Sequence, residues 1–329
     1  MPVPPLDAKT AEALVGDATA APSMHNAQPW RFRLLSRERT LQLRADLERA
    51  MPRSDPDHRA LHLGCGAALF NLRVSAAHAG LDPRTRLLPD DEDPLLLASV
   101  RLAEATVPDA GLARLHPAVR RRHTSRYPFD EREIPAALKE ALADAAREEG
   151  ARLVFPGPWH VETLLDLVRD AEGHDTLDPR GFEDVARWTR IGAAEAGTAT
   201  DGVPEYAFGP RKHDGKAPVR DFAGRRRVAD RDTTTFEHTP QLALLGTGGD
   251  RPAEWLRAGQ AMERVLLLAT LEGLATSLTS HALERPELRP LARDSLSAVG
   301  NVQMVLRLGY GPQGPGTPRR PVREVLDER

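Results

Sequence analysis

The chain has 329 residues, of which 40% are hydrophobic and 28% are charged, and its formal net charge is −3. These proportions are near the average for globular proteins and argue against a wholly disordered chain or a membrane protein. The weak negative charge argues against a general nucleic-acid binder. Because Cys65 is the sole cysteine, an internal disulfide and a site built from several cysteines are excluded.

The start of the chain, MPVPPLDAKT, carries prolines where a signal peptide has basic residues, and no apolar stretch follows. We therefore expect a cytoplasmic protein. The longest apolar run, residues 265–278, contains Glu272 and is too short to span a bilayer. No membrane partner is expected.

Helices and strands alternate in the first third of the chain. Leu and Ala at helical spacing predict a helix over 6–19, and the alternation in WRFRLL and LQLRAD predicts two half-buried strands. Between helix and strands lies APSMHNAQPW, residues 21–30, a loop rich in amides and prolines. A long buried helix over 57–80 ends at Gly80 and is followed by a strand, PLLLASVRL.

A similar order of elements is predicted further along the chain. An amphipathic helix follows the basic turn RRHTSR, and a buried helix, GQAMERVLLLATLEGL, precedes the strand VLRLGYG. The two buried helices align without a gap, so that Gly66 matches Gly259 and Gly80 matches Gly273. This internal similarity predicts two related halves.

Residues 174–232 are predicted to be an insertion in the second half. The segment has little periodicity and many Gly and Pro residues, and it is long for a connection. Such a segment is either a functional lid or a mobile loop. Its aromatic residues, Tyr206, Phe208 and Phe222, favour a lid.

Two arginine motifs are candidates for anion binding. In RRHTSR, Arg122, Thr124 and Arg126 point the same way if the segment is extended, and two guanidinium groups with a hydroxyl suit a phosphate. A solvated basic turn is the alternative. Near the C-terminus, Arg319 and Arg320 lie between two prolines that restrict the backbone. By itself this pair is only a basic tail.

Other motifs do not support a site. GYGPQG fits the dinucleotide-binding pattern, but Pro312 stands where a helix would have to begin. His58 and His62 are one helical turn apart, yet no third metal ligand is evident. Cys65 lies on an apolar helix face and is predicted to be a small buried residue.

The loop, the basic turn and the arginine tail together resemble the FMN-dependent nitroreductases. Members carry an APSxxNxQPWxF segment, matched here by Ala21, Pro22, Ser23, Asn26, Gln28, Pro29, Trp30 and Phe32. RRHTSRYPF is similar to their RRSxRxF turn, and VLRLGYG followed by an Arg-Pro element is similar to their C-terminus. Because the loop here precedes the basic turn, the chain resembles the Acg-type branch, in which two nitroreductase-like halves share one chain.

The resemblance implies an α+β, nitroreductase-like fold. It consists of two related halves, each a β-sheet covered by helices, which form an intramolecular pseudo-dimer. The halves are residues 1–110, with the QPW loop, and 111–329, with the phosphate cradle and the lid at about 174–232. One FMN per chain is expected, in a monomer or weak homodimer.

The resemblance also implies a set of cofactor-binding residues. The phosphate of FMN would be held by Arg122, Thr124, Arg126 and Arg319. The first half would approach the isoalloxazine ring through Pro22, Ser23, Met24 and Asn26. The backbone would pass flavin N5 in the segment TSLTSH, at Ser277, Leu278, Thr279 and Ser280. No metal and no catalytic side chain are implied.

Three functions remain open at this point. The first is an oxidoreductase that takes hydride at flavin N5 from NADPH or NADH and reduces a small acceptor. The protein would orient the cofactor, which carries the chemistry. His25 could protonate a product, although an exposed loop imidazole is the favoured interpretation.

The second is an FMN-binding or FMN-storing protein whose lid closes the pocket, with Tyr206 or Phe208 stacked over the ring. The third, a phosphate or nucleic-acid binding module that uses arginine runs such as 225–227, is disfavoured by the net charge.

Overall fold

The computed structural model describes residues 4–177, 182–224, 226–229, 231–297 and 299–328. The helices, in chain order, are α1 (Ala8–Ala18), α2 (Arg59–His78), α3 (Ala110–Ala113), α4 (His116–Val119), α5 (Ala136–Glu148), α6 (Pro158–Leu177), α7 (Phe182–Arg187), α8 (Ala193–Thr198), α9 (Pro252–Leu271) and α10 (Val322–Val325). The strands are β1 (Trp30–Leu35), β2 (Thr40–Ala45), β3 (Leu81–Leu87), β4 (Leu96–Glu104), β5 (Arg152–Val154), β6 (Thr189–Arg190), β7 (Val203–Pro204), β8 (Arg211–Asp214), β9 (Thr233–Thr235), β10 (Leu242–Thr247), β11 (Ala275–Thr279), β12 (Asn301–Gly309) and β13 (Leu326–Glu328).

Two larger sheets share one topology. The first has the order β13-β1-β2-β4-β3 and the second has the order β11-β12-β10-β5. Within each, the neighbouring strands are antiparallel except for the pair β1 and β13, which is parallel. A helix precedes the first strand (α1, α5) and a long helix joins the second to the third (α2, α9). The α+β architecture therefore contains two units of the same connectivity.

The long helices α2 and α9 pack against each other at the centre of the molecule. Leu63, Phe70 and Leu72 on α2 are fully or almost fully buried, as are Leu256 and Val265 on α9. Because α2 and α9 are apolar around most of their circumference, each covers its own sheet and also contacts the other helix. One hydrophobic core extends across both units.

The alternation of apolar and polar residues in the sequence predicted the first strands correctly. In β1, Trp30, Phe32 and Leu34 are buried, and the residues between them are partly exposed. The predicted helix over 6–19 is α1, the helix over 57–80 is α2, and the strands PLLLASVRL and VLRLGYG correspond to β4 and β12. The division at residues 110 and 111 stays a prediction.

The C-terminal segment connects the second unit to the first sheet. After β12 the chain passes the basic turn, where Gly314 packs so closely on the carbonyl of Thr124 that a side chain would overlap it. β13 then pairs with β1, and Leu326 lies opposite Phe32. This path carries Arg319 back to the first unit.

The predicted insertion contains more regular structure than its sequence indicated. It includes α7, α8 and the small sheets β6-β7 and β8-β9. Short elements of two to six residues are too brief to give a visible period. The segment has its own apolar cluster, which includes Val203, Phe208 and Phe222. Residues 178–181 and Arg225 of the predicted basic run lie outside the described residues.

In the described part of the chain, no helix is both long enough and apolar enough to cross a bilayer.

Candidate functional site

A cavity of about 850 Å³ lies where the two units and the insertion meet. The first unit contributes the start of the QPW loop and the N-terminal turns of α2, and the second contributes the basic turn and the end of β11. Eight of the twelve predicted cofactor-binding residues line it, and these are Pro22, Ser23, Met24, Thr124, Arg126, Ser277, Leu278 and Ser280. Their contact with a cofactor stays a prediction.

The QPW loop is held in an unusual backbone conformation. His25, Asn26 and Gln28 have φ of 49°, 56° and 54°, a left-handed region that non-glycine residues rarely adopt. The Gln28 amide N–H donates to Ser23 Oγ at 2.9 Å, which closes the loop on itself. Gly64 on α2 lets the loop approach, because a Cβ there would lie 3.2 Å from Ser23 Cβ. Such strain persists only where surrounding contacts fix it.

Asn26 does not line the cavity, and its approach to the isoalloxazine ring stays a prediction. Its side-chain amide donates to the carbonyls of Gly202 at 2.8 Å and Pro318 at 3.0 Å. Gln28 likewise donates to the Thr200 carbonyl at 2.9 Å. The amides of the loop therefore tie it to the insertion and to the C-terminal segment.

The basic turn runs beside the start of β11. Thr124 pairs with Thr276 as an isolated parallel bridge, and the Ser125 N–H donates to the Thr276 carbonyl at 2.8 Å. This extended geometry directs Thr124 and Arg126 into the cavity, whereas Arg122, which the spacing of two predicted on the same side, does not line it. Burial, with the nearby charge of Arg220, lowers the pKa of Arg126 to about 10.

Arg122 and Arg319 lie outside the cavity lining but come together next to it. Each donates to the Ala20 carbonyl, Arg122 Nη2 at 3.1 Å and Arg319 Nη2 at 3.0 Å. Arg122 is 2% exposed, and its Nε and Nη1 have no hydrogen-bond partner among the described residues. Burial, then the charge of Arg122, lowers the pKa of Arg319 to about 9.

A single buried carboxylate, Glu263 of α9, faces this pair. Its Oε1 lies 3.4 Å from Arg122 Nε, and the side chain is fully buried. Burial raises the pKa of Glu263, and the charge of Arg122 opposes that rise. With Arg122, Arg319 and Glu263 all charged, the cluster holds a net charge of about +1 by simple addition, which suits an added anion.

The end of β11 and the residue after it contribute three residues to the cavity lining. Ser277, Leu278 and Ser280 line it. Thr279 does not, and its hydroxyl donates to the Pro218 carbonyl of the insertion at 3.1 Å. Thr279 is therefore set apart from the other three by its contact, and the approach of this segment to flavin N5 stays a prediction.

The insertion closes one side of the cavity through Phe222, with Val219 and Arg220 beside it. The Phe222 ring meets His25 edge to face at 5.4 Å, and the guanidinium of Arg126 lies over it at 4.8 Å. Stacking of Tyr206 or Phe208 over the ring stays a prediction. Neither lines the cavity, because Phe208 is buried in the insertion's own cluster and Tyr206 is half exposed.

Sequence reasoning predicted the exposure of one histidine of this site wrongly and missed a second histidine. His25 is 6% exposed and lines the cavity, so the interpretation as an exposed loop imidazole is wrong. His281, 4% exposed, also lines it. The only signal for His281 was its position directly after TSLTS, at the end of a strand that was already singled out.

No group of three or more His, Cys, Asp or Glu residues able to hold a metal occurs in the ranges described. Burial raises the pKa of the Cys65 thiol, in keeping with the prediction of a small buried residue. The cavity lining combines apolar side chains with serine and threonine hydroxyls and arginine side chains, a combination that suits an organic anion.

Comparisons with known proteins identify the family. A Mycobacterium tuberculosis protein provisionally named NAD(P)H nitroreductase Rv3131 is 31% identical over 326 residues, 98% of this chain and 92% of that protein. The chain belongs to the nitroreductase family. A second relative, provisionally named NAD(P)H nitroreductase acg from the same organism, is 30% identical over 319 residues, 95% of this chain and 93% of that protein. The predicted resemblance to the Acg-type branch is confirmed.

Solved structures of nitroreductases align with part of the chain at low identity. A nitroreductase with bound FMN from Bacteroides fragilis aligns with 61% of this chain and 90% of that chain, at 18% identity and a TM-score of 0.35. A nitroreductase-like family protein from Bacillus cereus aligns with 64% of this chain and 92% of that chain, at 15% identity and a TM-score of 0.37. No protein-family model matches the chain.

Proposed function

We propose that this protein is an FMN-dependent oxidoreductase that takes hydride from NADPH or NADH and reduces a small acceptor. Bound FMN supplies the redox chemistry. The observation that carries the proposal is the convergence of Arg122, which is buried, and Arg319, which is partly buried, beside a cavity walled by the QPW loop. The names of the M. tuberculosis relatives support a nicotinamide donor.

The phosphate of FMN fits the arginine pair. Arg122 Nε and Nη1 have no hydrogen-bond partner within the described structure, and a buried donor without an acceptor is costly. The nitrogens of Arg319 already donate to protein carbonyls, so Arg319 contributes its positive charge. A phosphate satisfies such donors in bidentate geometry and offsets the excess positive charge. Thr124, at the cavity edge, adds a hydroxyl donor to the same side.

The ring of FMN fits the cavity itself. Pro22, Ser23 and Met24 form one wall, and the end of β11 forms another, with hydroxyls at Ser277 and Ser280. The Ser277 hydroxyl can donate to an acceptor atom of the ring, whereas the Ser280 hydroxyl already donates to Glu284 Oε1 at 2.7 Å. Backbone rigidity on both walls orients the ring without any protein group acting as an acid or a base.

The two units form the site together, because each supplies part of it. We propose that they constitute an intramolecular pseudo-dimer with one FMN per chain. The short connection from α5 to β5 supports this count, because it spans only residues 149–151 where the first unit has the QPW loop. The assembly would be a monomer or a weak homodimer.

A second candidate is a protein that holds FMN with little turnover, and the position of Phe222 favours it. This ring, 4% exposed, packs on His25 and closes the cavity on the side of the insertion. A lid that stays closed excludes donor and acceptor alike, whereas one that opens gates them.

Anaerobic titration distinguishes the two. Purified protein saturated with FMN is titrated with NADPH and then with NADH, while the absorbance of oxidised flavin is followed against free FMN. Rapid bleaching supports the oxidoreductase. A yellow protein that only dithionite bleaches supports the FMN-holding candidate, and a protein that takes up no FMN contradicts both.

A further inference from the structure

His25 and His281 are buried in the cavity wall without the hydrogen bonds that buried imidazoles normally make. His25 Nε2 and both ring nitrogens of His281 lack a hydrogen-bond partner in the described part of the chain. The nearest carboxylate to His281 belongs to Glu172, whose Oε1 is 3.8 Å from Nε2, beyond hydrogen-bond distance. Native proteins rarely leave buried polar atoms in this state unless a ligand or water satisfies them.

The charged groups around these imidazoles are mostly positive. Arg59, Arg126 and Arg220 line the cavity, and Glu284 is the one acidic residue among the cavity-lining residues described. Glu284 is already paired, because its Oε1 lies 2.5 Å from Arg220 Nη2 and accepts from Ser280 Oγ at 2.7 Å. A ligand in this cavity therefore meets a positive field.

Both imidazoles are neutral in this field. Burial, with the charge of Arg220, holds the pKa of His25 and that of His281 well below the ordinary value for histidine. Arg126 adds to the effect at His25, and Lys212 adds to it at His281. A neutral imidazole carries one N–H, so each ring can donate one hydrogen bond to a ligand.

The backbone of His25 is arranged to place its ring here. His25 has φ of 49°, and its ring packs edge to face on Phe222. A strained residue that lines a cavity and has an unpartnered ring nitrogen indicates a ligand contact. Around the two histidines the wall is apolar, with Met24, Met262 and Met304. Flexible methionines suit a flat hydrophobic body.

We propose that His25 and His281 form a subsite for the oxyanion of a small aromatic ligand, such as a carboxylate or a phenolate. The subsite rests on the proposed function, since this ligand would share the cavity with FMN. The two N–H groups donate to the oxyanion, the arginines supply the positive field, and Phe222 with the methionines covers the aromatic body. The acceptor of the proposed oxidoreductase belongs to this class.

Isothermal titration of the FMN-saturated protein at pH 7.5 with benzoate and benzamide tests the subsite, because these probes share a shape and differ in charge. Benzoate is expected to bind at least tenfold more tightly. His281→Phe should lower the affinity for benzoate at least tenfold and the affinity for benzamide less than twofold. The substitution leaves no hydrogen-bond partner stranded in the described structure, so folding should tolerate it.

Two further variants complete the test. His25→Asn removes the imidazole ring but introduces a residue that tolerates the left-handed backbone. This variant should bind benzoate more weakly and leave benzamide binding unchanged. His213→Gln, which changes an exposed histidine of β8 outside the cavity lining, should alter neither affinity. Equal binding of the two probes, an unchanged benzoate affinity in both histidine variants, or displacement of FMN by benzoate overturns the subsite. Failure of the protein to take up FMN overturns the proposed function instead.

Discussion

Gly66 of α2 and Gly259 of α9 contact each other backbone to backbone. A Cβ on Gly66 would lie 3.0 Å from Gly259 Cα, and a Cβ on Gly259 would lie 2.9 Å from Gly66 Cα. Each hypothetical Cβ also overlaps a carbonyl three residues before the opposite glycine, that of Leu256 or Leu63. The contact is reciprocal, as it is across a two-fold axis. The two positions that align in sequence therefore meet in space.

Replacing Gly66 by alanine should destabilise the protein by about 3 kcal/mol, because the added methyl overlaps helix backbone that cannot move alone. The control is Gly173→Ala in α6, where a Cβ meets nothing within 4 Å. Removing a helical glycine there should stabilise by about 0.5–1 kcal/mol. Urea denaturation measures both, and a neutral Gly66→Ala would contradict the close contact.

The double variant Arg122→Gln/Glu263→Gln should lower the affinity for FMN far more than the affinity for riboflavin, which lacks the phosphate. Changing both residues avoids a buried carboxylate without its partner. Loss of a charge-assisted contact of about 1.5–3 kcal/mol corresponds to roughly 10–100-fold in affinity. Fluorescence titration gives both dissociation constants. Equal losses for the two flavins would indicate a purely structural role for the pair.

Acidification should destabilise the FMN-free protein between pH 6.5 and about 4. Burial, then Arg122 and Arg319, lowers the pKa of His123 to about 4. In the unfolded chain His123 is protonated near pH 6.5, whereas in the folded protein it stays neutral until about pH 4. The free energy of unfolding therefore decreases as the pH falls from 6.5 to about 4. Thermal unfolding across this range should show a shallower loss for His123→Gln.

The matched control for that experiment is His213→Gln, which changes an exposed histidine of β8. If both variants lose stability with pH as the wild-type protein does, His123 is not the source of the acid destabilisation.

Phe222→Ala should release bound FMN at least tenfold faster, because this ring forms the wall between the cavity and the insertion. Tyr206→Phe is the control, since Tyr206 is half exposed and only its hydroxyl contacts the Gly316 carbonyl, at 3.4 Å. Stopped-flow dilution into excess apo-flavodoxin-type acceptor protein measures release. A rate unchanged in Phe222→Ala would show that the insertion does not retain the flavin.

Local patterns in the sequence predicted the elements that are long and regular. α2 and α9 were recognisable because each is about twenty residues of apolar side chains ended by a positive-φ glycine, Gly80 or Gly273. β1 was recognisable from strict alternation. α7, α8 and the two-stranded sheets of the insertion are too short to leave such a signal.

Side-chain direction in the site was harder to predict. The spacing of Thr124 and Arg126 gave the right face because the turn is extended. Asn26 and Thr279 belong to the right segments but bond to carbonyls of residues that are far away in sequence. His25 and His281 are buried by the insertion, and no local pattern encodes such long-range packing.

The number of FMN molecules per chain tests the central claim, that two related units in one chain build one flavin site. Native mass spectrometry of the protein with excess FMN measures it directly. We predict a single species of one chain with one FMN, with chain dimers appearing only at high concentration. Two FMN molecules per chain, or FMN found only in a dimer, would contradict the account.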